Sequence, residues 1–191
     1  MLARKPHTPA TYADILALPP HVVGEIAFGV LHTHPRPAPR HARAASVLGA
    51  KLSTPFDRSR GGPEGPGGWV FIDEPELHLG EHVLVPDIAG WRRERLTSLP
   101  ETPYFETAPD WVCEVLSPST QRFDRTDKLA IYAMFGVGHA WYVDPIAETL
   151  EVLARQDTKW LIAATFKEAD AVSAPPFEAH TFALDVLWSI G

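Results

Sequence analysis

Three side chains, far apart along the chain, have the types needed for metal-assisted chemistry on a phosphate ester: Asp87, Glu114 and Lys128. Asp87 follows Pro86 and closes the apolar run Val83-Leu84-Val85. Glu114 interrupts a second apolar run, Trp111 to Leu116. A carboxylate inside an apolar strand costs free energy unless its charge is compensated. An arginine, a lysine or a metal ion can serve. If the two strands are neighbours, the two acids lie close together, and like charges at such range repel unless a cation stands between them. Mg²⁺ is held by one or two carboxylates, with waters and substrate phosphates completing its shell. Such an ion polarises a phosphoryl oxygen, supplies a hydroxide and steadies the leaving oxygen. A nearby lysine orients the attacking water or balances charge in the transition state. Spacing alone also admits a purely structural reading, in which Arg122, Arg125 or Lys128 forms salt bridges with these acids.

The elements around these residues read as strand, polar loop, helix, strand. Trp111 to Leu116 suits a buried strand. Pro118 stops it, and the loop Ser117 to Phe123 carries turn and cap residues. Asp124 is the expected N-cap of a helix, with Asp127 placed to favour the helix dipole. Lys128, Ile131, Tyr132 and Phe135 fall at i, i+3, i+4 and i+7, so they share one face of a helix that ends near Phe135. Gly136 and Gly138 are stop signals. Helical side chains lean toward the N-terminus, which carries the Lys128 ammonium toward the Glu114 strand. A further strand, Ala140 to Asp144, ends at Asp144-Pro145.

Earlier in the chain, Tyr12 to Leu18 reads as a short helix capped by Thr11. Gly24 to Leu31 reads as a strand or hairpin arm, opened by Glu25 as an exposed edge charge. Arg40 to Leu52 has helical periodicity, with His41, Ala44, Ala45, Leu48 and Leu52 on one face. His41 is either a core histidine bonded to a backbone carbonyl or an active-site group. Arg36, Arg40, Arg43 and Lys51 read as a solvated basic face, with phosphate contact as the minority alternative. Thr54 to Gly68 is rich in Gly, Pro and charge and is expected to be a mobile loop covering a groove. Trp69 to Asp73 and His82 to Ile88 read as strands with a turn near Gly80. Pro86 inside the second marks an edge, a bulge or a kink. Arg92, Arg93 and Arg95 are expected on an exposed segment. Thr149 to Ala154 and Trp160 to Phe166 form a predicted hairpin, and Phe182 to Ile190 packs the end of the chain.

At 191 residues the expectation is one domain over 1–191, with a loose tail over about residues 1–10. No apolar run approaches the ~20 residues of a membrane span, and the N-terminus has no apolar core of a signal peptide. The lone cysteine, Cys113, lies in the apolar strand as a small hydrophobe, which fits a reducing cytoplasm. A formal net charge of -7 argues against a broad basic surface that coats nucleic acid. It leaves room for a local basic patch around an acidic metal site.

The order Pro86-Asp87, Glu114-Val-Leu-Ser-Pro-Ser, Asp124-Arg-Thr-Asp-Lys128-Leu, Tyr132, Gly136-Val and Trp141-Tyr-Val-Asp-Pro resembles the PD-(D/E)XK phosphodiesterase superfamily. More narrowly it is similar to the bacterial family of Uma-type putative restriction endonucleases. The likeness runs from about Tyr12 to the C-terminus and includes Gly24-Glu-Ile-x-x-Gly-Val30 and the proline-rich approach to His41. It implies an α/β (α+β) restriction endonuclease-like fold, a central mixed β-sheet flanked by helices, here with added β-hairpins. It implies a metal-dependent endonuclease with Mg²⁺ or Mn²⁺ on Asp87 and Glu114, with nucleic acid, DNA foremost, as partner, and a homodimer. The superfamily's usual lysine position, two residues after the acid, is Leu116 here, so the resemblance assigns that role to Lys128. It adds Glu25 as a further ligand or water-orienting group and His41 as an active-site residue. His139 stands where the family more often carries an acid. A non-catalytic module that keeps the fold to bind a protein or nucleic-acid partner is the alternative, and a hydrolase of another phosphoester is a third reading.

Overall fold

The computed structural model describes residues 8–190 apart from Arg36, Arg60 and Glu64. The expected tail therefore falls mostly outside the described residues, as does Arg36 of the basic set.

The chain opens with α1 (Tyr12–Leu16), two residues shorter at its C-terminus than its pattern suggests. Thr11 occupies its N-cap: its N–H and Oγ1 donate to Asp14 Oδ2 at 2.7 and 2.9 Å, so the Asp14 carboxylate satisfies the cap's backbone donor. β1 (Val23–Ala27) and β2 (Val30–His34) follow as a hairpin. Its turn residues Phe28 and Gly29 have φ of 50° and 73°. Two successive positive φ values match the right-handed twist of the strands. α2 (Pro39–Phe56) is longer than its periodicity predicts, so Thr54 to Phe56 are helical rather than loop. Backbone bonds from Gly67 N–H to Pro55 and from Gly68 N–H to Arg58 tie the following segment to the helix end.

β3 (Trp69–Asp73), β4 (Leu77–Leu79), β5 (His82–Leu84) and β6 (Ile88–Arg92) come next. The single strand expected over His82 to Ile88 is two strands. Pro86 lacks a backbone N–H and breaks the ladder, and the two pieces join different sheets. β5 lies in a four-stranded antiparallel sheet of order β2-β1-β5-β4. β6 lies in a six-stranded mixed sheet completed by β7 (Trp111–Val115), β8 (His139–Asp144), β9 (Thr149–Gln156) and β10 (Lys159–Lys167). Its order is β10-β9-β8-β7-β6-β3, with β7 and β8 the parallel pair. Their crossover is a continuous helix: α3 (Gln121–Phe123), a π-helical turn (Asp124–Lys128) and α4 (Leu129–Met134). Asp124 is thus inside the helix, which starts three residues earlier at Gln121 with Thr120 at the N-cap position. β11 (Ala171–Val172), β12 (Phe182–Ala183) and a 3₁₀ turn (Leu184–Leu187) close the chain.

Side chains alternate across a strand, and this sorts the core. Trp111, Cys113 and Val115 face α2, where Ala44, Leu48 and Leu52 meet them together with Phe177, Leu184 and Leu187. Cys113 is a buried free thiol, as its setting suggested. Val112 and Leu116 belong to the opposite layer, with Ile131, Tyr132 and Tyr142. Glu114 shares their parity, so its carboxylate enters that layer. Gly90 lets the sheet close over an aromatic cluster: a Cβ there would stand 3.0 Å from Phe71 Cε1 and 3.2 Å from Trp111. Among the described residues, no helix is long and apolar enough to cross a membrane.

Candidate active site

The crossing of the two sheets sets the site. β6 and β7 pair as Ile88 with Cys113 and Ala89 with Val112. One further step of that register sets Asp87 opposite Glu114. The Val115 N–H donates to Asp87 Oδ2 at 2.7 Å, which stitches the kinked segment after Pro86 to β7. His41, in the first turn of α2, places Nε2 3.3 Å from Asp87 Oδ1. Burial disfavours the His41 charge, but the Asp87 carboxylate outweighs it and raises the imidazole above its ordinary value.

Glu114 is 2% exposed and Lys128 is 2% exposed. The Lys128 ammonium lies 2.9 Å from the Glu114 carboxylate, and the Tyr132 hydroxyl donates to Glu114 Oε1 at 2.6 Å. Lys128 Nζ also stands 3.1 Å from Glu25 Oε1 and 3.5 Å from Asp124 Oδ1, and it donates to the Val85 carbonyl at 3.1 Å. Glu25 is not the exposed edge charge its bland reading gives: it is 3% exposed. Its Oε1 accepts the Val85 N–H at 2.7 Å, and its Oε2 is 3.2 Å from His34 Nε2.

These charges are strongly coupled. Burial pushes the Glu114 carboxyl well above the usual carboxylate range despite Lys128 beside it, and the repulsion of Asp124, Asp87 and Glu25 adds to this. Burial likewise raises Asp124. For Glu25 the order is reversed: Lys128, His34 and the Val85 N–H overcome burial and hold it below its ordinary value. Burial opposes the Lys128 charge, yet Glu114 and Glu25 hold the ammonium protonated, well above its ordinary value.

All five side chains singled out in the sequence line one cavity of about 280 Å³: Glu25, His41, Asp87, Glu114 and Lys128. His34, Glu74, Ser117, Thr120 and Asp124 line it too. Of these, Asp124 was within reach of sequence reasoning, because it stands four residues before Lys128 on one helix. Tyr132 stood in the motif order and on the apolar face, but nothing in the sequence aimed its hydroxyl at Glu114. His34 and Glu74 had none: their approach depends on hairpin pairing and on a positive φ of 47° at Glu74. Of the proposed structural partners, Lys128 pairs with Glu114, whereas Arg125 turns away to Glu151 at 2.7 Å. Arg95 is exposed and Arg93 half-buried, and they pair with Asp110 and Asp57.

The family model described as "Putative restriction endonuclease", Uma2, matches residues 11–186. The chain belongs to the Uma2 family. A crystal structure from Anabaena variabilis, described as a putative nuclease, has a TM-score of 0.75 to this chain at 23% identity. That match covers 94% of this chain and 98% of that one, and it shows a shared fold. No curated protein matches the chain. In this Uma2 chain, no three His, Cys, Asp or Glu side chains among the described residues stand together in metal-ligating geometry. The donor set nevertheless suits Mg²⁺ or Mn²⁺, which need only one or two protein carboxylates beside water and phosphate. Among the described residues, Glu25, Asp87, Glu114 and Asp124 line one cavity with Lys128 as its only lysine or arginine, a setting that suits an added cation.

Proposed function

We propose that the chain is a divalent-metal-dependent endonuclease that hydrolyses phosphodiester bonds in nucleic acid, DNA foremost. The observation that carries this reading is convergence. Asp87 after a proline kink, Glu114 on the neighbouring strand and Lys128 on the crossover helix line one cavity. Asp87 and Glu114 are the residues to hold Mg²⁺ or Mn²⁺. A bound ion supplies Lewis acidity toward a phosphoryl oxygen and makes a water more acidic. The remaining roles belong to the chain's own groups. Lys128 sets positive charge beside the place where the phosphate gains negative charge. Tyr132 fixes the rotamer of Glu114 through its 2.6 Å hydrogen bond. His41 orients Asp87 from the α2 side. Burial of Glu114 and Lys128 keeps these interactions strong, since water screens them little.

Supercoiled plasmid incubated with the protein and Mn²⁺ tests this. Nicking or linearisation by the wild type, lost in Asp87→Asn, is the expected result. No cleavage of any DNA or RNA in a substrate panel overturns it in favour of a non-catalytic binding module.

A further inference from the structure

The buried ammonium has more partners than a catalytic lysine needs. Lys128 carries three N–H donors, and Glu114, Glu25 and the Val85 carbonyl all lie within 3.1 Å of it. The partners differ in how firmly they are held. Glu25 Oε1 receives the Val85 N–H at 2.7 Å and its Oε2 lies 3.2 Å from His34 Nε2, so the carboxylate has a backbone anchor and a neighbour independent of Lys128. Val85 is held from both sides: its N–H goes to Glu25 and its carbonyl accepts from Lys128. β5 ends at Leu84 and Pro86 offers no N–H, so no sheet ladder satisfies these backbone groups. Buried backbone donors and acceptors need partners, and Glu25 and Lys128 supply them two residues before Asp87. Glu114, in contrast, is shared. Its oxygens answer Lys128 and Tyr132, with no backbone N–H bonded to them among the described residues, and it lines the cavity beside Asp87.

We propose that Lys128 is an internal counter-ion with which an incoming divalent cation competes for Glu114, and that Glu25 is the positioning residue that anchors Lys128 rather than a metal ligand. This rests on the reading of Asp87 and Glu114 as the metal pair. When a cation takes Glu114, the ammonium keeps Glu25, Asp124 and the Val85 carbonyl and stays in the site, beside the phosphate. The arrangement has a counterintuitive consequence: removing Lys128 strengthens metal binding while it removes a group of the active site.

Mn²⁺ titration calorimetry without substrate tests this on wild type, Asp87→Asn, Lys128→Met, Glu25→Gln and the double variant Glu25→Gln/Lys128→Met. The expected result is Asp87-dependent binding in the wild type that tightens about tenfold or more in Lys128→Met, because a positive charge has left a buried site. Glu25→Gln changes affinity by less than about threefold when Lys128 is already Met, since a residue acting through another loses its effect with that partner. If Lys128→Met does not fold, the double variant, which removes one charge of each sign, must bind Mn²⁺ more tightly than Glu25→Gln alone. Equal or weaker binding without Lys128 overturns the competition and leaves the metal pair standing. A loss of tenfold or more from Glu25→Gln in both backgrounds makes Glu25 a ligand and overturns the anchoring role. Absence of Mn²⁺ binding in the wild type and in every variant overturns both the proposal and the metal pair beneath it.

Discussion

Substituting Lys128 by Met removes the one ammonium that lies among Glu25, Glu114 and Asp124, all of them buried. The methionine fills a similar volume, so packing changes little and the measured effect is electrostatic. Breaking a buried ion pair by deleting one partner costs about 3–5 kcal/mol, because the other charge stays buried without compensation. The Lys128 side chain is 3% exposed and those of its partners 3–5%, so solvent screening does not reduce this figure to the surface range. For a domain of this size each kcal/mol shifts Tm by about 2–4 °C, which gives a fall of about 6–20 °C. Urea and thermal unfolding at neutral pH, with divalent ions chelated, read both numbers. The double variant Glu114→Gln/Lys128→Met should lose less than Lys128→Met alone, because one stranded charge leaves with its partner. A loss below about 1 kcal/mol, the range of exposed pairs, would refute the view of Lys128 as the counter-charge of this cluster.

Other expectations concern the layers around the site. Tyr132→Phe deletes the hydroxyl donated to buried Glu114 and should cost about 1–3 kcal/mol in urea unfolding, with reduced plasmid cleavage. Leu48→Ala opens a cavity where α2 meets the sheet and should cost about 2–5 kcal/mol, while calorimetric Mn²⁺ affinity stays at the wild-type value. His82 is buried and its Nδ1 accepts the Phe28 N–H at 3.2 Å, which requires the neutral ring. Burial holds its pKa below the ordinary 6.5 against the opposing pull of Glu81. Its contribution to stability is therefore complete above pH 6.5 and is lost as pH falls through the depressed folded value. Histidine NMR should titrate His82 below 6.5, and a value at or above 6.5 contradicts the buried neutral ring.

Much of this architecture is written locally. Ala44, Leu48 and Leu52 repeat at helical spacing and are buried against the sheet. Trp111 to Val115 is apolar except for Glu114 and forms a buried strand of the mixed sheet. Lys128 was placed toward Glu114 by helix direction alone, and the two lie 2.9 Å apart. Such features are legible because periodicity and side-chain direction act over a few residues.

Other features were decided only when the chain closed on itself. Glu25 reads as an edge charge along the strand, yet hairpin pairing and the kinked segment around Val85 bury it beside Lys128. Asp124 carries the signature of a cap, yet the helix starts earlier, at Gln121, so Asp124 lies inside it, four residues before the same ammonium. The apolar run ending at Ile88 looks like one strand, and Pro86 divides it between two sheets, which is what sets Asp87 opposite Glu114. Sequence alone determined which residues carry charge and which faces are apolar. Tertiary structure decided which charges share one buried volume, because electrostatic coupling depends on distances that sheet register and strand crossing set.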